Sequence, residues 1–189
     1  MNPEVEELLR QIYELKEELA KARKSVEPEV VQDFSFETLS GSRTLSSLFG
    51  EKSDLFVVHN MGKQCAWCTL WADGFSGYLR HILTRAEFVV CSPDSPADQS
   101  AIATARGWKF PMVSDTSKEF TTAMGYYTEA DGWWPGISAF HKNENGTITR
   151  TGREIFGPGD DYCMVWPMFG LLKDGLGDWA PQPHLITLS

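Results

Sequence analysis

The sequence has few cysteines, four in 189 residues, and only Cys65 and Cys68 are closely spaced. That number does not build a disulfide scaffold. A zinc site needs roughly four ligands, usually as two close pairs, and neither a second C-x-x-C nor an H-x3-5-H completes one. His59 with Cys65 and Cys68 leaves a soft ion such as copper(I) as the remaining metal option; the expectation is no metal. Basic charge is also scarce: 17 Lys and Arg stand against 26 Asp and Glu, a formal net charge of −9. Nucleic acid and anionic membrane are thereby disfavoured as partners, since both require a basic face. No apolar run approaches the roughly 20 residues that span a bilayer. The opening "MNPEVEELLRQIYELKEEL" lacks the basic-then-apolar layout of a secretory signal, so a reducing cytoplasm is the expected location. Gly-rich phosphate loops and a G-x-S-x-G elbow are absent.

What is present is a foldable chain, with 42% hydrophobic and 23% charged residues, long enough for one domain with an extension. Residues 3–25 read as a helix in which Leu8, Ile12, Leu15, Leu19 and Ala22 recur at spacings of 4, 3, 4 and 3. Such a stripe either docks on its own domain or serves as a dimer arm, and Pro28 closes the segment. "VVQDFSFETLSG" alternates and turns at Gly41, and "TLSSLFG" reads as a short helical turn stopping at Gly50. "DLFVVHNM" and "AEFVVCS" have the length and continuous apolarity of strands covered on both faces. Between them, "CTLWADGFSGYLRHILTR" has helical spacing, with Gly74 and Gly77 expected where the helix bends or something packs closely. "PADQSAIATARGW" is a helix ended by Gly107, and "KFPMVSDTSKEFTTAMGYY" holds an extended piece and a short helix. "GWWPGISAFHKNENGTITRTGREIF" reads as two strands around a turn at 143–146. "DDYCMVWPMFGLLKDGLGDW" reads as a final helix with a Gly-rich end. A βαβ unit followed by ββα fits an α/β, thioredoxin-like three-layer α/β/α fold. The expected division is an N-terminal amphipathic helix (1–27), the thioredoxin-like domain (28–180) and a tail (181–189).

The stretch "MGKQCAWCTLWADGF" carries the chemistry. By spacing alone its two cysteines are a redox dithiol, half of a metal site or a pair of core thiols. The order of elements favours the first. Cys65 falls at the strand-to-helix turn, where free N–H groups and the positive helix end stabilise a thiolate. A cysteine so placed can drop from a pKa of ~8.5 to ~7 or below. Lys63 is positioned to add positive charge. Cys68, in the first helical turn and the more buried slot, is within reach of a mixed disulfide on Cys65. Cys65 is therefore the attacking thiol and Cys68 the resolving thiol. Pro135 precedes an apolar strand about seventy residues later, at the point where thioredoxin folds put a cis-proline facing the dithiol. The Trp134 backbone is then free for an extended substrate, and Trp67, Trp133 and Trp134 are the aromatic residues expected to line the cleft. Asp73 is a candidate proton acceptor for Cys68, against the alternative of a plain surface charge. Cys91 and Cys163 read as buried hydrophobes, His59 as a hydrogen-bonded structural histidine, and Trp71, Phe75 and Trp108 as core.

"DFSFETLSGSRTLSSLFGEKSDLFVVHNM", "QCAWCTLWADGFSG", "RGWKFPMVSD" and "PGISAFHKNENG" together resemble the thioredoxin-like family known as domain of unknown function 899. The resemblance runs from about residue 14 to about residue 180. It implies a thioredoxin-like fold distantly similar to peroxiredoxins and a dithiol–disulfide oxidoreductase whose redox pair is Cys65 and Cys68. The intervening Ala66-Trp67 departs from the proline of many thioredoxin-type motifs. The Pro-x-x-x-Thr-x-x-Cys pattern of peroxiredoxins is missing around both cysteines.

The expected protein is thus a cytoplasmic thiol–disulfide oxidoreductase without an organic cofactor. It acts on a disulfide-containing protein or small molecule and draws electrons from an external thiol, with homodimerisation through the N-terminal helix as an option. Two alternatives stand beside it: a non-catalytic thioredoxin-like binding module and a thiol-dependent peroxide reductase.

Overall fold

The computed structural model describes residues 2–182; apart from its first two residues, the expected tail lies outside them. The first element is α1 (Pro3–Lys24), capped by Asn2, whose side chain accepts the Glu4 N–H. Strand β1 (Glu29–Val31) and the hairpin β2 (Ser35–Thr38) and β3 (Gly41–Thr44) follow, then a 3-10 helix over Leu45–Phe49. The βαβ core consists of β4 (Asp54–His59), α2 (Ala66–Ile82), β5 (Glu87–Ser92), α3 (Pro96–Arg106) and β6 (Met112–Ser114). After α4 (Glu119–Ala123) come the small ribbon β7 (Tyr127–Thr128) and β8 (Gly132–Trp133), the long hairpin β9 (Gly136–Lys142) and β10 (Ile148–Ile155), and α5 (Val165–Phe169).

One eight-stranded sheet runs in the order β1-β10-β9-β4-β5-β6-β2-β3. Strands β4, β5 and β6 are parallel, as right-handed crossovers through α2 and α3 require, while β9 pairs antiparallel to β4. Alternation along the strands sends Leu55, Val57, Val89, Cys91 and Phe140 to one face, where Leu45, Phe49, Phe120 and Tyr126 cover them. Val58, Phe88, Val90 and Ile137 point to the other, beneath Trp71, Phe75 and Leu79 of α2. Helices therefore cover both faces, the thioredoxin-like three-layer arrangement expected from the order of elements, with α1 added outside it.

Three local expectations are corrected. Helix α2 runs unbroken through Gly74 and Gly77, and a Cβ at either position would meet nothing within 4 Å. These glycines are not sites of close packing. The final helix is only Val165–Phe169. Pro167 lies in its first turn, where the missing N–H is tolerated but an earlier start would cost a ladder bond, and Gly175 and Gly177, both at positive φ, carry the chain on as turns. The β7–β8 ribbon, two residues per strand, is too short to leave an alternating signal.

Candidate active site

Strand β4 delivers the chain to the site. After His59, the Asn60 N–H bonds to Cys91 O at 2.9 Å, and the Asn60 side chain accepts the Gly62 N–H at 2.8 Å. Gly62 sits at φ 106, and an added Cβ would lie 3.2 Å from Asp94 Oδ1, so a glycine is required here. The Cys65 N–H closes the turn on Gly62 O at 3.0 Å.

Cys65 is then the N-cap of α2, and its Sγ takes the position of a capping oxygen, accepting the Cys68 N–H at 3.1 Å. The hydrogen bond from the Cys68 thiol lowers the Cys65 pKa most, with the Cys68 and Trp67 N–H groups adding to it against partial burial; the result is about 7. Cys68 is pushed far above the ordinary thiol range, by its hydrogen bond to Cys65 and by burial, although the Met61 N–H reaches its sulfur at 3.4 Å. Cys65 is half-buried and Cys68 buried. The two sulfurs thus differ in their readiness to ionise, Cys65 being shifted toward the thiolate and Cys68 toward the thiol.

The expected contribution of Lys63 is not seen. Its ammonium pairs with Asp98 at 2.7 Å and its N–H with Asp94 at 2.9 Å, so this side chain braces the loop against α3 while the helix end polarises Cys65. Asp73 is likewise engaged elsewhere. Its carboxylate accepts Arg106 Nε at 2.9 Å and Trp108 Nε1 at 2.8 Å. Five residues past Cys68 it is turned roughly 140° around the helix, and it clamps α2 to the end of α3.

Pro135 is buried, and Gly136, the next residue, pairs with His59. Pro135 therefore lies at the end of β4 from which the dithiol loop departs. The Trp134 N–H is not free for a substrate; it donates to Tyr126 O at 2.7 Å. Trp134 is 47% exposed, while Trp133 is half-buried against Tyr127, with ring centroids 4.8 Å apart. Trp67 packs on Trp166 and Trp179 at centroid distances of 5.6 and 6.2 Å. Sequence reasoning missed this aromatic cluster and, separately, the tie that Asp160 makes to α2. The Asp160 carboxylate accepts Trp71 Nε1 at 2.9 Å, the Gly157 N–H at 3.0 Å and the Tyr162 N–H at 2.7 Å. An Asp in "GPGDDY" signals a turn, but nothing in the sequence joins it to a Trp 89 positions earlier.

His59 faces the opposite core from α2. It is stacked between Tyr126 and Phe120 at 3.7 and 5.3 Å, with Nε2 3.0 Å from Ser138 Oγ. Burial holds it neutral, its pKa well below the usual histidine range. It does not join the dithiol, and among the described residues no three His, Cys, Asp or Glu side chains converge as metal ligands would. Cys91 and Cys163 are buried, and burial raises both thiols.

A parallel β4–β5–β6 core, an antiparallel β9, helices on both faces and a dithiol at the N-terminus of α2 define a thioredoxin-fold protein. Residues 5–173 match the family described as "Bacterial protein of unknown function (DUF899)", and the chain belongs to that family. No curated protein matches the sequence. Among solved structures, the fold is similar to a cysteine-to-serine mutant of peroxiredoxin Q from Xanthomonas campestris (TM-score 0.55, 16% identity, 65% of this chain and 80% of that one). Peroxidoxin BcpB from Mycobacterium tuberculosis is similar at TM-score 0.52 and 21% identity, over 68% and 80% of the two chains. Reduced Prx3 from Vibrio vulnificus, in complex with hydrogen peroxide, matches at TM-score 0.56 and 13% identity, over 71% and 90%. At these identities the likeness is one of fold.

Proposed function

We propose that the protein is a dithiol–disulfide oxidoreductase working through Cys65 and Cys68. The observation that carries this reading is the Cys65 sulfur at the N-cap of α2, stabilised as a thiolate near neutral pH beside a Cys68 that keeps its proton. The Cys65 thiolate attacks one sulfur of a substrate disulfide, forming a mixed disulfide and expelling the other half as a thiolate. Cys68, losing its proton to the departing thiolate or to solvent, then attacks the Cys65 sulfur and expels the second half. The substrate gains two electrons and the enzyme becomes the Cys65–Cys68 disulfide, which two equivalents of an external thiol return to the dithiol. The exposed residue Trp134 and Pro135 flank the end of the sheet where the substrate would lie, and Trp67 backs the dithiol against the C-terminal segment. Asp73 has no place in proton transfer on this reading.

A second reading, thiol-dependent peroxide reduction, is favoured by one observation, the peroxiredoxin fold neighbours. The same thiolate would attack a peroxide, leave as the sulfenic acid with release of water or alcohol, and be resolved by Cys68 with loss of a second water. Against it, the Thr69 hydroxyl donates to Cys65 O rather than to the sulfur.

The test equilibrates the protein in glutathione buffers and counts free thiols by alkylation and mass spectrometry. A reversible two-electron transition between Cys65 and Cys68, falling between about −300 and −120 mV, is expected. Absence of that disulfide over the whole range would overturn the exchange reading. Thiol loss with hydrogen peroxide and none with a disulfide would replace it by the second.

A further inference from the structure

Helix α1 has no buried residue, although it carries an apolar stripe along its whole length. Val5, Leu8, Ile12, Leu15 and Leu19 are between 44% and 62% exposed, and Val26, just past the helix end, is 66% exposed. The bonds that tie the helix to its domain are ion pairs of exposed groups, Lys16 with Asp161 and Arg23 with Glu154. Such pairs orient a helix without covering its stripe. An amphipathic helix gains most of its stability by burying that face, and here the chain's own core does not supply the cover.

The stripe is a heptad. Within α1, Val5, Ile12 and Leu19 fall at position a and Leu8, Leu15 and Ala22 at position d, with Val26 next in the series just past the helix end. β-Branched residues at a with leucine at d favour a parallel two-stranded coiled coil. The flanking charges agree. Positions g hold Glu4, Gln11 and Glu18; positions e hold Leu9, Lys16 and Arg23. In a parallel pair Glu18 meets the partner's Arg23 and Gln11 meets the partner's Lys16, contacts these two side chains would share with Glu154 and Asp161 of their own domain. An antiparallel pair overlapped along the whole helix would instead set Lys16 beside Leu9 and Gln11 beside Glu18, and would lose the Glu18–Arg23 pairing. At the C-terminal end the stripe opens into a cleft of about 500 Å³ between Leu19, Arg23 and Val26 on one side and Arg150–Glu154 of β10 on the other. This is room into which a second helix end can settle.

From these observations we infer that α1 is a dimerisation arm whose occupant is the α1 of a second copy of this chain, parallel and in register. It joins two thioredoxin-fold domains through three heptads and leaves both dithiols outside the contact.

The experiment is sedimentation equilibrium of the full chain from low micromolar to near-millimolar concentration, on the wild type and on Ile12→Asp. The wild type is expected to be a reversible dimer, and Ile12→Asp to raise its dissociation constant at least ~100-fold, because two buried side chains are lost per dimer. Near-UV circular dichroism, reporting the unchanged domain core, verifies folding. Orientation is read from Leu15→Cys in a Cys65→Ser, Cys68→Ser background: parallel helices place the introduced thiols side by side, and mild oxidation yields a covalent dimer. A monomer at every concentration overturns the inference. So does a dimer indifferent to Ile12→Asp, or one that does not cross-link through position 15.

Discussion

Replacing Cys65 by serine is expected to lower disulfide-reducing turnover by ~10³-fold or more, which at about 1.4 kcal/mol per tenfold corresponds to at least ~4 kcal/mol of lost transition-state stabilisation. The reasoning follows the sulfur. The thiolate is the nucleophile, and the Cys68 thiol and helix-end N–H groups that bring the Cys65 pKa to about 7 cannot bring a serine hydroxyl near ionisation at the same pH. The fold survives, since serine is itself a favoured N-cap and accepts the same N–H. Cys68→Ser behaves differently. The first attack still occurs, but nothing expels the second half of the substrate, so turnover stops after one event and the mixed disulfide on Cys65 persists. Steady-state kinetics on both variants, with intact-mass spectrometry of the Cys68→Ser adduct, separates the two roles. Equal and partial losses from the two substitutions would mean that the thiols are interchangeable, which the burial difference does not permit.

The second large effect is structural and lies across the sheet. Gly136→Ala is expected to destabilise the protein by about 3 kcal/mol or more, and so to lower its melting temperature by roughly 6–12 °C for a chain of this length. A Cβ at Gly136 would come closer than carbon can approach to two atoms, the Glu154 carbonyl oxygen and the Tyr126 ring. Neither can yield. The Glu154 oxygen is main chain in the β9–β10 ladder, where Glu154 pairs with Ile137. The Tyr126 ring is stacked on His59, and its hydroxyl donates to Ile137 O at 2.7 Å and Glu154 O at 3.1 Å. Gly74→Ala in α2 is the control: the new methyl meets nothing, and the better helix former stabilises by up to about 1 kcal/mol. Thermal melts of the two variants should therefore move in opposite directions.

The contrast between these glycines shows where the sequence is informative. Gly107, ending α3 in the left-handed conformation, and Gly146, turning β9 into β10, were legible because the apolar periodicity stops at each. The βαβ order and the place of Cys65 at the strand-to-helix turn, near the helix N-terminus, follow from runs such as "DLFVVH" and from the position of the cysteines relative to them. Gly74 and Gly77 misled because glycine in a helix has the same letter whether it faces a neighbour or open space. Lys63 and Asp73 misled for a related reason. Both stand near the dithiol in sequence, but their partners, Asp98 and Arg106, come from α3, more than thirty residues away. Pairing over such distances leaves no periodic trace. The same applies to Asp160 on Trp71 and to the Trp67–Trp166–Trp179 cluster, which exist only once the C-terminal segment has folded back over α2. The α1 stripe was legible as an amphipathic helix. That the domain leaves it uncovered was not, because a heptad reads alike whether it docks at home or on a second copy.

The central chemical claim is that Cys65 is about half thiolate at neutral pH, because the Cys68 thiol and the N–H groups opening α2 stabilise its charge. Its most direct measurement is the rate of iodoacetamide alkylation of the reduced protein as a function of pH, with the labelled residue located by mass spectrometry. The account predicts one fast-labelled thiol per chain, Cys65, with a rate that rises as pH increases and reaches half its plateau at about pH 7, while Cys68 stays unlabelled through the same range. A midpoint at about 8.5, as for an unperturbed cysteine, or first labelling at Cys68, would contradict it.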